Sequence, residues 1–82
     1  MAKEEIREIK IDKIRPNYRL IYEETAILAL CDDILCRGLQ EPIVVERIGN
    51  WFRIVDGERR WRACKKLGLV KVKVRIIEAA GE

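Results

Sequence analysis

The sequence contains no histidine and no serine, and Thr25 is its only threonine. These absences exclude a Ser-His-Asp triad and any histidine-ligated metal site. No apolar run is long enough to span a membrane, and the charged residues that follow Met1 do not resemble a secretion signal. We therefore expect a cytoplasmic protein with no membrane partner.

The sequence has three cysteines, Cys31, Cys36 and Cys64. An odd number without a secretion signal favours reduced thiols over a disulfide framework. Cys31 and Cys36 also lack the Cys-x-x-Cys spacing of zinc and redox sites. We expect no metal site at these residues.

The composition predicts one small domain over residues 1–82, because 49% of the residues are apolar and can form one modest core. The net charge is only +3, but residues 58–66 combine one acid with five basic residues, namely Arg59, Arg60, Arg62, Lys65 and Lys66. This asymmetry indicates an anionic partner at one helix.

The alternation of apolar and polar residues predicts the order β-α-β-β-α-β, an α+β domain with a mixed sheet and two main helices. A first strand contains Ile9 and Ile11 and ends at the Pro16 turn. The other predicted elements are a helix from a Thr25 cap to Gly38, strands 43–48 and 51–55 around a Gly49-Asn50 turn, a helix over 57–67 and a strand from Lys71 to Ile76.

The first predicted helix has one apolar face and one polar face. We expect its core-facing residues to be Ile27, Leu28, Leu30, Cys31, Ile34 and Leu35. Cys36 lies nearer solvent, and Glu23 and Glu24 adjoin the positive end of the helix.

The second strand pair leads into the second helix through Val55-Asp56-Gly57-Glu58. The first N–H groups of a helix have no partner within it, and the helix dipole adds positive charge there. A strand that turns through glycine into a helix is therefore a natural anion site.

A helical projection at 100° per residue separates the two arginines of the first turn. Trp61, Ala63, Cys64 and Leu67 face the core, whereas Glu58, Arg59, Arg62, Lys65 and Lys66 face outward. Arg60 lies in the middle of the apolar arc. A buried arginine keeps its proton, so Arg60 needs an internal partner such as Asp56 or Glu41, an exit to solvent at the helix end, or an external anion.

Three segments together resemble the N-terminal domain of the ParB chromosome- and plasmid-partition proteins. They are Ile9 to Arg19, Gly38-Leu39-Gln40-Glu41-Pro42-Ile43-Val44-Val45, and Gly57-Glu58-Arg59-Arg60-Trp61-Arg62-Ala63. With Leu67-Gly68-Leu69 they cover most of the chain in the expected order. The superfamily also includes sulfiredoxins and free serine kinases.

The resemblance implies a nucleotide site, with CTP or ATP and Mg²⁺ as the expected ligands. Gly57, Glu58, Arg59 and Arg60 would hold the phosphates, and Gln40, Glu41, Pro42 and Ile43 would line the nucleoside end. An inward Arg60 agrees with this assignment, because guanidinium forks suit phosphate oxygens. A link to DNA partition or its regulation is also implied.

Several family features are absent from these 82 residues. The Glu-Asn-…-Arg-like motif that follows the last strand in partition proteins is not found in Glu78 to Glu82, nor is a helix-turn-helix domain. We therefore expect binding rather than turnover. Sulfiredoxin chemistry is not expected because Glu58 and Arg59 stand where its thiol would be, and no acidic cluster supports a nuclease.

Two other functions stay open. A nucleic-acid-binding module would use Arg59, Arg62, Lys65 and Lys66, with Lys71, Lys73 and Arg75 as a second basic surface. A small phosphotransferase of the free serine kinase type would use Asp56 as its catalytic base, although both histidines of that motif are replaced; a helix cap or turn is the structural alternative for Asp56. A homodimer is neither indicated nor excluded.

Overall fold

The computed structural model describes residues 4–16 and 24–78. The sequence forms strand β1 (Glu4–Lys10), a 3-10 turn (Ile11–Lys13), strand β2 (Ile14–Arg15), helix α1 (Glu24–Arg37), strands β3 (Ile43–Ile48) and β4 (Trp51–Asp56), helix α2 (Glu58–Lys66) and strand β5 (Lys71–Ile77). The predicted α+β class and mixed sheet are confirmed.

The five strands form one sheet in the order β1-β5-β3-β4-β2. The β1–β5 and β3–β4 pairs are antiparallel, whereas β3–β5 and β2–β4 are parallel. Ile48 pairs with Trp51 across the predicted Gly49-Asn50 turn, and Gly49 has φ +60°. The turn residues thereby fix the register of the central hairpin.

The two outermost strands are joined by only three residues, and this short link bends the sheet. From Lys10 to Ile14 the chain can reach at most about 14 Å. In a flat sheet, the first and fifth strands would be separated by four inter-strand spacings, or about 19 Å. The sheet therefore curls until β1 and β2 approach each other, and a seam forms between its edges.

The core lies between the sheet and the packed pair of helices. Its fully buried side chains come mainly from the central strands and α2 and include Ile43, Val45, Ile54, Val74 and Cys64. The Cys31 thiol donates a hydrogen bond at 3.6 Å to the Ala63 carbonyl, where α1 crosses α2. All three cysteines are free, with Cys36 exposed as predicted. None of the helices in the described ranges is long and apolar enough to cross a membrane.

The sequence-based boundaries need several corrections. The first strand ends at Lys10, so Ile11 belongs to the 3-10 turn, and the two-residue strand β2 was missed. Thr25 lies inside α1, which begins at Glu24, and therefore is not its cap. Residues 17–23, including the rest of the predicted turn and Glu23, lie outside the described residues.

The apolar face of α1 is narrower than predicted. Ile27, Cys31 and Ile34 are buried and Leu30 is partly buried, but Leu28 is 48% and Leu35 70% exposed. The curled sheet and α2 contact α1 along a single stripe, and the two leucines flank that stripe on the solvent side.

Two adjacent residues of α1 provide a test of this packing. Ile34→Ala should lower the free energy of unfolding by about 2–5 kcal/mol, because it leaves a cavity beside the core. Leu35→Ala should change it by less than about 0.5 kcal/mol, because the side chain is already exposed. Urea unfolding followed by circular dichroism measures both variants, and equal losses would contradict the assigned face.

Candidate anion site at the start of the second helix

A glycine turn joins β4 directly to α2. Gly57 has φ +100° and ψ 27°, in the left-handed region that favours glycine, and it stands at the N-cap of the helix. Its carbonyl accepts the Trp61 N–H at 3.0 Å. Of the structural alternatives for Asp56, the helix cap is therefore wrong, since Asp56 stands one residue before the N-cap and α2 has no side-chain cap hydrogen bond.

The guanidinium of Arg60 lies directly over this turn. A Cβ added at Gly57 would lie 3.1 Å from Arg60 Nη2 and 3.2 Å from Cζ. The backbone angle therefore favours glycine here, and a side chain would also shift the guanidinium by a few tenths of an ångström.

Arg60 is also tied to the connector between α1 and β3. Its Nη1 donates to the Pro42 carbonyl at 3.2 Å and to the carbonyl and a carboxylate oxygen of Glu41, both at 3.4 Å. Its Nη2 lies 3.7 Å from Asp56 Oδ2. The internal partners weighed from the sequence are therefore both present, and one side chain links the two segments of the expected site.

The charges around Arg60 are nearly balanced. The Arg60 side chain is 20% exposed, whereas those of Glu41 and Asp56 are 79% and 74% exposed. Contacts this long to exposed carboxylates contribute little. An anion with better geometry could therefore replace both carboxylates at the guanidinium.

Glu58 is buried, contrary to the outward position predicted for it. It is only 8% exposed, and Oε2 accepts from Arg62 Nη2 at 3.0 Å and from Nε at 3.3 Å. A projection of α2 alone could not find this, because Arg62 folds back over the carboxylate and Leu30 of α1 lines the same cleft. Its charge near the helix N-terminus is favoured by the dipole.

The cleft in front of this turn has a volume of about 400 Å³ and is lined by Leu30, Glu41, Asp56, Gly57, Glu58, Arg59 and Arg60. All four predicted phosphate-end residues thus line one cavity with Glu41. Gln40 donates to the Arg37 carbonyl at 2.6 Å, at the end of α1. Ile43 is fully buried in the core as the first residue of β3, so it offers no exposed surface to a ligand.

The remaining predicted cations of α2 are engaged within the domain. Lys66 Nζ lies 2.6 Å from Glu24 Oε2, and this hydrogen bond raises the pKa of Lys66. Lys65 Nζ lies 4.9 Å from the centre of the Trp61 ring. Lys66 therefore links α2 to α1, whereas Lys65 and Arg62 contact side chains of α2 itself.

The thiol nearest the site is unsuited to nucleophilic chemistry. Burial, with a smaller contribution from Cys31, raises the pKa of Cys64 to about 11, although Arg60 opposes the shift. The thiol stays protonated at neutral pH. It acts as a small apolar side chain beneath Arg60.

Within the described residues, no group of three or more acidic or cysteine side chains could hold a metal ion. A Mg²⁺ ion commonly keeps several waters and binds one or two carboxylates together with ligand phosphates. Asp56 and Glu41, both exposed at the cleft, fit that limited role.

Comparison with known proteins agrees with this architecture. The family model "ParB N-terminal domain" matches residues 1–82. The probable chromosome-partitioning protein ParB of Rickettsia felis is 47% identical over 74 residues, which cover 87% of this chain and 25% of that protein. The chain therefore spans about a quarter of the length of the curated relatives it matches.

Solved structures show the same fold. Sulfiredoxin from Arabidopsis thaliana is 28% identical with a TM-score of 0.82, covering 92% of this chain and 86% of its own. The C-terminally truncated ParB of Caulobacter crescentus complexed with CTP-gamma-S is 30% identical with a TM-score of 0.78, covering 95% and 46%. A structure of that protein complexed to the centromeric parS site is 32% identical with a TM-score of 0.76, covering 83% and 38%.

Because the family model matches the chain along its entire length, the chain belongs to the ParB N-terminal domain family.

Proposed function

We propose that the cleft at the start of α2 binds the phosphates of a nucleoside triphosphate, CTP in preference to ATP, together with Mg²⁺. The Gly57 turn and the first N–H groups of α2 form the phosphate end, with Glu58, Arg59 and Arg60. The connector over Gln40, Glu41 and Pro42 forms the nucleoside end, and Ile43, the buried first residue of β3, anchors it to the core. The proposal is one of binding, without a turnover step.

The observation that carries this proposal is the position of the Arg60 guanidinium. It lies against the Gly57 turn and contacts the connector at Glu41 and Pro42. A permanently charged fork at a helix N-terminus can bind two phosphate oxygens at once. A ligand bound there would contact both segments of the site.

The balanced charge of the cleft gives Mg²⁺ a defined role. Glu41 and Asp56 would repel a triphosphate that carries no metal, because both carboxylates lie near the Arg60 guanidinium to which the phosphates would bind. A divalent cation between these carboxylates and the phosphates would convert repulsion into attraction.

The choice of CTP is supported by the Caulobacter ParB structure, which contains CTP-gamma-S. The names of the curated relatives support a place in chromosome partitioning, and with it a cytoplasmic location and DNA as an indirect partner. These assignments extend from longer proteins to this chain as part of the proposal.

Arg60→Gln should weaken CTP binding on the order of 10- to 100-fold, because a hydrogen bond to a charged group contributes about 1.5–3 kcal/mol. Isothermal titration with CTP, ATP, GTP and UTP in the presence of Mg²⁺ measures this change. Arg60→Lys retains the charge but loses the fork, so its affinity should be intermediate.

Arg7→Gln is the matched control, since Arg7 is an exposed arginine of β1 outside the cleft whose removal changes the net charge equally. Its affinity should equal that of the unmodified protein. Thermal melts identify any variant that is not folded. Absence of binding heat with every nucleotide, or equal loss in Arg7→Gln, would contradict the proposal.

Gly57→Ala should weaken CTP binding, because the new Cβ strains the left-handed turn and shifts the Arg60 guanidinium by a few tenths of an ångström. Gly68→Ala provides the control: Gly68 also has a positive φ, +77°, but nothing lies within 4 Å of its added Cβ. Both variants should lose about 1 kcal/mol or more of stability. Only Gly57→Ala should lose affinity at a temperature where both are folded.

Asp56→Asn separates metal-dependent from metal-free binding. In EDTA, CTP should bind roughly fivefold tighter to this variant, since a charge at about 4 Å in water contributes about 1 kcal/mol. The gain in affinity from added Mg²⁺ should shrink. Asp32→Asn, which changes an exposed aspartate of α1, is the charge-matched control. Weaker CTP binding by Asp56→Asn in EDTA would refute the assigned repulsion.

A further inference from the structure

The connector 38–42 joins α1 to β3 and contributes Glu41 to the wall of the cleft, although it belongs to no helix or strand. Its first two residues are held by the rest of the domain. Gly38 leaves α1 with φ +79°, its N–H donates to the Ile34 carbonyl at 2.7 Å, and Leu39 is partly buried against the core. Residues 40–42 need other contacts to keep one position before a ligand binds.

Arg60 supplies one such contact from across the cleft. Its Nη1 donates to the Pro42 carbonyl at 3.2 Å and to the Glu41 carbonyl at 3.4 Å. The same guanidinium is the group to which the proposed phosphates would bind. Phosphate oxygens are charged acceptors and would compete with the two carbonyls for its N–H groups. The restraint from Arg60 therefore weakens when a ligand arrives.

The side chain of Gln40 supplies a second contact, which does not involve Arg60. Its Nε2 donates to the Arg37 carbonyl at 2.6 Å. This carbonyl belongs to the last turn of α1, where carbonyl groups have no partner within the helix and carry partial negative charge. Gln40 is exposed, and it is not one of the residues that line the cleft. Its amide thus binds the end of α1, next to the residue that faces the ligand.

The residues after Gln40 transmit this restraint to the cleft. The ring of Pro42 fixes its own φ, and it restricts the preceding residue, Glu41, to extended conformations. Ile43 is fully buried as the first residue of β3. With Gln40 fixed at one end and Ile43 at the other, few free dihedral angles remain between them.

We propose that Gln40 is a positioning residue of the cleft, which fixes the connector to the end of α1 and makes no contact with the nucleotide. This inference rests on the proposed function. A connector without this hydrogen bond would sample several positions, and only one of them would accept the ligand. The apparent dissociation constant rises in inverse proportion to the population of the competent position.

Gln40→Met removes the donor and keeps the length of the side chain. Amide hydrogen exchange of the full 82-residue chain should then be faster over residues 39–41 in the free protein, and saturating CTP with Mg²⁺ should remove the difference. Isothermal titration should show CTP and ATP each binding about two- to tenfold more weakly, the effect of one lost hydrogen bond, with the ratio of their affinities unchanged.

Gln40→Lys is the rescue variant, since an ammonium group can donate to the last carbonyls of a helix. It should restore the slow exchange of the connector in the free protein. That exchange is measured without nucleotide, so attraction between the new charge and the phosphates does not enter the comparison.

Three results with a chain that binds CTP would overturn the proposal. Unchanged exchange over the connector in Gln40→Met would show that the hydrogen bond does not fix it. A changed ratio of CTP to ATP affinity would make Gln40 a contact to the base. Faster exchange confined to α1, with unchanged affinity, would make Gln40 a cap of that helix alone. Absence of nucleotide binding by the unmodified chain would instead refute the proposed function itself.

Discussion

The permanent charge of Arg60 is the constraint on which the candidate site depends. The guanidinium cannot lose its proton, and only a fifth of the side chain is exposed, so it must find oxygen atoms close by. It finds them on the connector and on Asp56, and the glycine at position 57 leaves the space in which it lies. One charge thereby brings together segments that are 18 residues apart in the sequence.

A second constraint, the three-residue link between the outer strands, determines the rest of the charged surface. The link forces the sheet to curl, and the curl brings cations of four separate segments around one groove. Neither strand alone looks unusual, because β1 alternates in sign along its length and β5 is a basic strand with one buried face. The concentration of charge is a property of the fold rather than of any segment.

The fold class, the central hairpin, both helices and the inward position of Arg60 could be predicted from the sequence, because each depends on local periodicity and turn residues. The burial of Glu58 could not, since it requires Arg62 to fold back and α1 to pass nearby. Nor could the exposure of Leu35 or the strand β2, which depend on how the sheet curls. A helical projection reports the pattern of one helix, and neighbouring elements decide which part of that pattern is covered.

The basic helix illustrates why charge in a sequence differs from charge available to a ligand. Its five cations are the densest in the sequence, yet the partners of Arg62, Lys65 and Lys66 lie within the domain. The groove lined by β1, the 3-10 turn, β3 and β5 contains cations that look dispersed in the sequence, and three of them, Lys10, Lys13 and Lys71, have no such partner in the described ranges. At the cleft, the acidic and basic side chains nearly cancel, so the geometry of the Arg60 guanidinium rather than the net charge would select the anion. At that groove, the charge of the three unpaired lysines attracts anions in general, and salt screens that attraction more strongly. The two surfaces are thus suited to different anions for different physical reasons.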